Sequence, residues 1–339
     1  MEVIPLVAQN QSRFADLSAA ADLMTTGAII VPEFQKEIVD LVRRAGVFGQ
    51  RIEYVPATGS PSRFFEETAI SDGQFTAPEN IVPTATSPTR VEWSLTIKAL
   101  TNQITYSLFD METVAQQNQF AYLKMKDMKD MVNGILRLRD KALWTGTDTV
   151  SGQQVGASTT NQFVGVLNQF QNPVTIASGS SIIDGIRTEV AKLVSNSAYM
   201  VRPSAVYINP LALDYLEQEA KNNATALRYI QTDIQDGKVG LSVTGIVTAA
   251  GVLPLIPEPF LSMNATIPGI TAAVSPLNNY PFAIVSESLI EFHWIGSREP
   301  RVFQLGTLAN LQEQYVGILF GAPVVKGPSY AHAVGVIQR

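Results

Sequence analysis

The chain has 339 residues, a formal net charge of −6 and no cysteine. A chain of this length can bury a sizeable core and is expected to form about two domains. The acidic balance, without a basic tail, excludes tight nucleic-acid binding by phosphate neutralisation, and the lack of cysteine excludes disulfides and cysteine-based zinc sites.

Charged residues are unusually scarce and unevenly placed. They make up 16% of the chain, against roughly 25% in typical soluble domains. Residues 149–183 contain no charge, and residues 242–286 contain only Glu258. Uncharged surface is typical of the centres of subunit interfaces, whereas a set of Gly/Ser-rich loops would need no partner. We favour extensive protein–protein contact. We find neither a signal peptide nor an apolar run that could span a membrane, and expect no membrane partner; the lack of cysteine suits a reducing cytoplasm.

The N-terminal region reads as an arm followed by a short helix. Residues 1–30 are polar and Ala-rich, with no strong period. A helix is predicted for Glu33–Ala45, because Pro32 suits its first turn and Gly46 follows its end.

Residues 51–90 are rich in Pro, Thr, Ser and Gly, and read as a long projecting loop. Two short groups in it, Ile52–Tyr54 and Arg63–Phe65, could pair as a hairpin. A loop of this size is either disordered or a functional extension that rests on a neighbour. Its large apolar side chains argue against disorder, because a projecting loop has few places of its own to bury them: Phe64, Phe65, Phe75 and Ile81. The paired carboxylates Glu66 and Glu67 are either solvated or form a salt bridge with an arginine of another subunit.

A strand is predicted for Arg90–Thr105, where apolar and polar residues alternate, and it leads into a long helix over Ser107–Gly146. Ser107 and Asp110 could form a capping box, and Gly146 could end the helix in the left-handed conformation. Such a helix would be about 55 Å long. Internal charges exclude a membrane span, and no strict heptad supports a coiled coil. We therefore predict a spine laid on a sheet; the alternative is an ordinary core helix of an α+β enzyme. Its apolar face is predicted to comprise Met111, Val114, Ala121, Met125, Met128, Val132, Ile135 and Ala142.

The second half of the chain reads as a neutral loop or hairpin region over residues 146–181, then an α/β region, then strands. In the α/β region, a helix Ile182–Ser195 is capped by Ser180 or Ser181, and Asn209-Pro210 opens the next helix. The elements predicted after residue 200 are the strand Ala205–Ile208, the helix Leu211–Lys221, and the strands Gly245–Ile256, Phe282–Val285, Leu289–Trp294, Val302–Leu305, Tyr315–Phe320 and Val334–Ile337.

The sequence offers little for chemistry. Its two histidines, His293 and His332, lie far apart, and His293 follows Phe292 on a predicted strand, where a structural role is expected. No P-loop, GxGxxG or nucleophile-elbow pattern occurs. A Ser–His–Asp arrangement is not excluded by sequence alone. We predict no catalytic, cofactor-binding or metal-ligating residue, and no enzyme activity.

Four short segments, in their order and spacing, carry a family resemblance. The predicted spine ends in RDKALWTGTDT (residues 139–149), and FVGVLN follows at residues 163–168. A strand ends in Asn-Pro within AVYINP (residues 205–210), and GVLPLIP follows at residues 251–257. With the order arm, helix, projecting loop, strand, long helix, α/β region and returning strands, the chain resembles the tailed-phage major capsid proteins of the Hong Kong 97 fold.

The resemblance implies an α+β fold in which the projecting loop lies over an adjacent subunit. The uncharged loops would then meet around the five-fold and six-fold axes, where like charges of identical copies would repel. The implied regions are an N-terminal arm and short helix (1–50), an extended loop (51–92), a peripheral domain with the spine helix (93–147), an axial domain (148–287) and the return strands of the peripheral domain (288–339).

The implied function is a shell subunit that assembles as pentamers and hexamers into an icosahedral phage head around double-stranded DNA. An encapsulin-type compartment is the first alternative, and a cytoplasmic α+β enzyme or binding module is the second. The implied partners are copies of the chain itself, a separate scaffolding protein (no long charged helical segment precedes the arm), a portal, a decoration or cement protein, and packaged DNA held by weak non-specific contacts. The protein would be assembled in the bacterial cytoplasm and located in the virion.

The chain departs from the founding member of the family in one respect. That phage joins its extended loop to a neighbour by a Lys–Asn isopeptide bond. Here no lysine lies between Lys36 and Lys98, and residues 296–308 contain no asparagine. We expect no such crosslink and no cofactor. The predicted subunit-interface residues are Arg63, Phe64, Phe65, Glu66, Glu67 and Phe75.

Overall fold

The computed structural model describes residues 46–70, 73, 75, 76, 78, 79, 81, 87–109, 112, 123–157, 160–222, 230–232, 243–307 and 312–339. The chain divides into two compact units, residues 1–41 with 109–122 and residues 42–108 with 123–339. Only Phe109 and Glu112 of the first unit are described, and every element given below belongs to the second. The predicted arm, the predicted helix Glu33–Ala45 and most of the first part of the predicted spine lie outside the described residues.

The described chain is a mixed α+β fold with three sheets, as expected. The largest sheet has seven strands in the order β7-β16-β12-β8-β11-β10-β9. Its strands are β7 (Pro173–Ile176), β8 (Ala205–Ile208), β9 (Ile230–Thr232), β10 (Val243–Thr248), β11 (Gly251–Pro257), β12 (Asn279–Val285) and β16 (Ala333–Gln338). Strands β8 and β12 are buried along their whole length, which explains why they read as continuous apolar runs rather than as alternating patterns.

Helices α4 (Ile182–Val194) and α5 (Pro210–Asn222) cover one face of this sheet, against residues such as Val206 and Ile208. Both helix starts agree with the sequence. The Ser181 hydroxyl accepts a hydrogen bond from Asp184 N at 3.1 Å, and Asn209 Oδ1 accepts one from Leu211 N at 2.9 Å. Each cap satisfies a backbone donor that the first helical turn leaves unpaired.

The second sheet has five strands and carries the long helix. Strand β15 (Gln312–Val325) pairs with β4 (Lys98–Ser107), β13 (Ile290–Ile295) and β14 (Arg301–Thr307), and β1 (Glu53–Pro56) pairs with β13. The helix, α2, covers Leu123–Thr145. Two short helices, α1 (Phe48–Arg51) and α3 (Val166–Gln169), and a 3-10 turn at Glu287–Leu289 are also present.

Helix α2 lies on this sheet, as predicted for the spine. Asn102 Nδ2 of β4 donates to Met131 O at 3.3 Å. A Cβ on Gly317 of β15 would lie 2.7 Å from Ile135 Cδ1, and one on Gly134 would lie 2.9 Å from Asn102 Nδ2. The two glycines therefore let helix and sheet approach closely. Of the predicted apolar face, Ile135 is buried, while Met128, Val132 and Ala142 are half-buried.

One expectation about the end of α2 is wrong. Gly146 does not adopt a positive φ; it is a close-approach position, because a Cβ there would lie 2.8 Å from Gly165 N. Two charged residues of the helix, Arg139 and Asp140, are buried. Asp140 Oδ2 accepts a hydrogen bond from Gly46 N at 2.9 Å, so this carboxylate holds the chain just before α1.

A second buried carboxylate holds α1 as well. Glu258 is fully buried, and its Oε2 accepts hydrogen bonds from Val47 N at 2.8 Å and Phe48 N at 2.9 Å. The single charge of residues 242–286 is therefore an internal anchor, and it leaves the surface of that stretch without charge.

Two predicted strands and one predicted strand pairing differ in the structure. The predicted strand Arg90–Thr105 is two strands in different sheets, β3 (Thr89–Leu95) and β4. The predicted strand Gly245–Ile256 is the hairpin β10–β11, which turns at Ala249 and Ala250. Gly251, the first residue of β11, has φ +104°, a conformation that favours glycine. The predicted pairing of Ile52–Tyr54 with Arg63–Phe65 is wrong, because β1 pairs in parallel with β13.

The third sheet contains the projecting region. Its order is β2-β3-β6-β5, with β2 at Ser62–Ala69, β5 at Val150–Ser151 and β6 at Gln154–Val155. The described helices include none with the length and apolarity that a bilayer crossing requires.

Candidate subunit-interface hairpin

The projecting region is a two-stranded hairpin whose two faces differ. Strand β2 pairs antiparallel with β3, so that Phe64 lies opposite Trp93 and Glu67 opposite Arg90. Side chains alternate between faces along a strand. Accordingly Ser62, Phe64, Glu66 and Thr68 are buried or half-buried, whereas Arg63, Phe65, Glu67 and Ala69 are exposed. We call these two sets the inner face and the outer face.

The Glu66 carboxylate is the central contact of the inner face. Its Oε2 accepts from Trp93 Nε1 at 2.8 Å, and its Oε1 accepts from Tyr330 Oη at 2.8 Å and from Gly327 N. Hydrogen bonds to a carboxylate are about twice as strong as those between neutral groups. Glu66 thus ties the hairpin to residues 327–330 of its own chain.

Aromatic side chains extend the same anchorage. Tyr199 Oη donates to Thr68 O at 3.0 Å, and the rings of Tyr199 and Tyr330 stack with centroids 3.7 Å apart. Burial, reinforced by the Glu66 carboxylate, raises the pKa of Tyr330. The phenol therefore stays protonated and remains a donor to Glu66 throughout the physiological pH range.

A buried polar chain fixes the base of β2. Ser62 Oγ lies 3.0 Å from His293 Nδ1, His293 Nε2 lies 3.0 Å from Glu291 Oε2, and Lys326 Nζ pairs with Glu291 Oε1. The serine, histidine and glutamate have the connectivity of a catalytic triad. All three are less than 10% exposed, so a substrate has no approach to the serine. This series of side-chain contacts links β2 to β13, which is the structural role expected for His293.

The outer face and the residues beyond β2 carry large apolar side chains in solvent. The exposed fractions are 70% for Phe65, 72% for Ile70, 108% for Phe75 and 71% for Ile81. Charged pairs flank Phe65: Arg63 with Glu92 at 3.1 Å and Arg90 with Glu67 at 3.2 Å. An apolar centre with a charged rim is the composition of a protein-binding surface.

The six predicted interface residues therefore divide between the two faces. Phe64 and Glu66 face their own chain, and Arg63, Phe65 and Glu67 face outward; Phe75 is fully exposed. A salt bridge to an arginine of another subunit was one of the two roles considered for Glu66 and Glu67. In the structure, Glu67 pairs with Arg90 of its own chain, and Glu66 accepts three hydrogen bonds from its own chain. The anchoring residues Tyr199, Gly327 and Tyr330 were missed, because no local pattern links positions more than 100 residues apart. The alternation along Ser62–Ala69 was a signal that could have separated the faces.

Parts of the uncharged stretches, residues 149–183 and 242–286, are also exposed to solvent. Val252 is 58% exposed and Val274 is 80% exposed. Residues 264–279 line a groove of about 410 Å³ that contains no charged side chain. The described part of the chain holds no group of three His, Asp or Glu side chains placed to bind a metal ion.

Comparison with solved structures identifies the fold. A chain from Gordonia phage Cozz is similar over 95% of both chains, with a TM-score of 0.61 and 14% identity. The capsid of the native GTA particle is similar over 96% of this chain and 99% of that one, with a TM-score of 0.63 and 11% identity. The chain has the fold of a phage capsid subunit.

A similar fold occurs in an encapsulin. The holo-SrpI encapsulin complex of Synechococcus elongatus PCC 7942 matches over 94% of both chains, with a TM-score of 0.51 and 11% identity. No protein-family model matches the sequence, and no curated protein is similar to it. At these identities the capsid fold is shared, and function must be argued from the surfaces that this chain presents.

Proposed function

We propose that the chain is the structural subunit of an icosahedral phage head of the Hong Kong 97 type, assembled from pentamers and hexamers around double-stranded DNA. One observation carries the proposal. The hairpin is firmly anchored at its base on its own chain, yet it presents Phe65, Ile70, Phe75 and Ile81 to solvent. A rigid projection with unburied apolar side chains is suited to cover a second copy of the chain.

The capsid fold and the uncharged surfaces support the same proposal. In a ring of identical copies each loop faces its own equivalent, so that any charge would meet a like charge. Residues 148–287 would form the axial domain, with the exposed parts of residues 149–183 and 242–286 close to the axes. Residues 93–147 and 288–339 would form the peripheral domain, residues 51–92 the extended loop, and residues 1–50 the arm.

The shell would be held together by non-covalent contacts. No lysine is present in residues 37–97 and no asparagine in residues 296–308, so the groups for a Lys–Asn isopeptide bond are missing. Many weak interfaces, repeated over a closed shell, sum to high stability. The proposed partners are copies of the chain, a scaffolding protein, a portal, a decoration or cement protein, and packaged DNA. Assembly would take place in the host cytoplasm, and the role would be structural rather than enzymatic.

The decisive experiment shortens the hairpin without disturbing its base. Ala69 pairs with Thr89, so residues 70–88 can be replaced by Asn-Gly, the preferred two-residue hairpin turn. The full-length chain should form closed shells by electron microscopy, whereas the shortened chain should keep its circular dichroism spectrum and melting temperature but form no closed shell. Closed shells from the shortened chain would refute the proposed role of the hairpin.

An encapsulin-type shell is the second candidate, because an encapsulin shares the fold. The contents and size of purified particles separate the two. Large particles that contain nuclease-protected DNA support the phage head, whereas small cages filled with a protein cargo support the compartment. On denaturing gels, a ladder of covalent oligomers would contradict the uncrosslinked shell in either case.

A further inference from the structure

Helix α2 carries exposed cations that form no ion pair with any carboxylate of the described residues. Lys129, Arg137 and Lys141 are exposed, and they occupy steps of four residues along the helix, with Asn133 completing the series. Each step of four residues advances about 6 Å along the helix axis and about 40° around it, so the three cations follow an inclined ridge of the helix. We call Lys129, Arg137 and Lys141 the cationic row; it extends over about 18 Å.

The cationic row is unusual because most other described cations are already paired. Ion pairs with carboxylates engage Arg51, Arg63, Arg90, Lys98, Lys126, Arg139, Arg187, Lys192 and Lys326. Among the described residues, no carboxylate pairs with a member of the row. Within the described part of the chain, the row is therefore left without a counter-charge.

The acids of the helix do not neutralise the row. Asp130 pairs with Lys126 at 3.0 Å, and Asp127 accepts a hydrogen bond from Tyr106 Oη at 3.3 Å. Between Met131 and Thr145 the only acidic residue is Asp140, which is 2% exposed and paired with Arg139 at 2.9 Å. The exposed charges of this half of the helix are thus all cationic, on a chain whose net charge is −6.

We propose that the cationic row binds the phosphate backbone of nucleic acid. Duplex DNA carries one negative charge for each 1.7 Å or so of its axis, so about ten charges span the length of the row, and each cation can meet a phosphate. Three contacts bind weakly and without base specificity, and the acidic remainder of the chain repels DNA elsewhere. The cationic row therefore turns this surface of the subunit towards DNA. Because the row is repeated in every copy of the shell, the summed affinity for DNA becomes substantial. This inference rests on the proposed function, because it assigns a surface to the packaged genome.

The test compares two triple variants of the full-length chain with the same change in charge. One is Lys129→Gln/Arg137→Gln/Lys141→Gln. The matched control is Arg187→Gln/Lys192→Gln/Arg202→Gln, on and just after α4. Binding of unassembled subunits to a fluorescent random-sequence duplex is followed by anisotropy over a range of low salt concentrations. A plot of log affinity against log salt loses about 0.9 of slope for each phosphate contact removed.

We expect the row variant to lose nearly all of its salt slope and at least about tenfold in affinity at the lowest salt, while the control keeps the wild-type slope. Equal DNA binding by the two variants would overturn the inference. A parallel titration with polyglutamate tests an acidic protein segment as partner. Selective loss of polyglutamate binding, with DNA binding unchanged, would also overturn it. Because free subunits are used, a failure to form shells in microscopy counts against the proposed function and leaves this result separate.

Discussion

The seven-stranded sheet and the β2–β3 hairpin bury their apolar residues in opposite ways. The sheet is covered on both faces: Val206 and Ile208 pack under α4 and α5, while Ala205 and Tyr207 face the core of the five-stranded region. The hairpin is covered on its inner face alone. The apolar residues of the sheet are thus buried within the described part of the chain, whereas the hairpin region leaves Phe65, Ile70, Phe75 and Ile81 exposed.

The largest expected effect is on the sheet. Phe282 of β12 is fully buried, and its ring fills the space over Gly335 of β16, where a Cβ would lie 2.5 Å from Phe282 Cζ. Phe282→Ala should lower the free energy of unfolding by about 3–5 kcal/mol, measured by urea denaturation of unassembled subunits. A loss below about 1 kcal/mol would mean that the surrounding residues collapse into the cavity. The sheet would then not be the tightly packed region described above.

Acid should weaken the segment on which the hairpin rests. His332 Nδ1 accepts from Ser286 N at 3.2 Å, so the ring proton sits on Nε2, which lies 3.1 Å from Lys326 O. Burial lowers the pKa of His332 from 6.5 to about 4. Because the unfolded chain then binds the proton more readily, the contribution of neutral His332 is complete above pH 6.5 and is lost as pH falls towards 4, by about 3 kcal/mol in all.

The measurement for His332 is the free energy of unfolding between pH 4 and pH 7, in the native chain and in His332→Gln. Glutamine offers both a donor and an acceptor but does not titrate in this range. The native chain should lose more stability than the variant over this interval. If the two plots of unfolding free energy against pH were parallel, His332 would not contribute to the loss of stability in acid.

The anchorage of the hairpin can be tested with adjacent glutamates. Glu66→Ala removes the acceptor for Trp93 Nε1, Tyr330 Oη and Gly327 N, and should cost about 2 kcal/mol of unfolding free energy. Glu67→Ala is the matched control, since its only described ion pair is the exposed one with Arg90, and such pairs contribute about 0–1 kcal/mol. Equal costs for the two variants would contradict the division into inner and outer faces.

Substitution of Phe65 should have the smallest effect on subunit stability but a large effect on shell assembly. Phe65→Ala should change the unfolding free energy of free subunits by less than about 0.5 kcal/mol, because the side chain is 70% exposed, yet it should reduce the yield of closed shells. Phe64→Ala is the control: its ring lies parallel to that of Trp93 with centroids 6.4 Å apart, so it should destabilise the subunit itself. Normal shell yield from Phe65→Ala would place the interface elsewhere.

The sequence was informative where local chemistry decides local structure. The cap at Ser181, the Asn209-Pro210 helix start and the C-terminal strands followed from side-chain hydrogen bonding and from apolar patterning. The uncharged stretches and the apolar residues of the projecting loop could also be read directly. These features depend on residues that are near neighbours in the chain, so the pattern itself contains the cause.

Only the tertiary structure decided which side chains of each element are buried and which are exposed. Arg139 and Asp140 are charged residues of a helix, yet both are buried, and Asp140 accepts a hydrogen bond from Gly46 N. Glu66 and Glu67 are identical neighbours, yet one meets Tyr330 and Gly327 and the other meets solvent. Composition and periodicity determined that this chain has helices, strands and an unburied apolar loop. Contacts between residues distant in sequence determined what those elements leave exposed, because burial is a property of the whole packed chain.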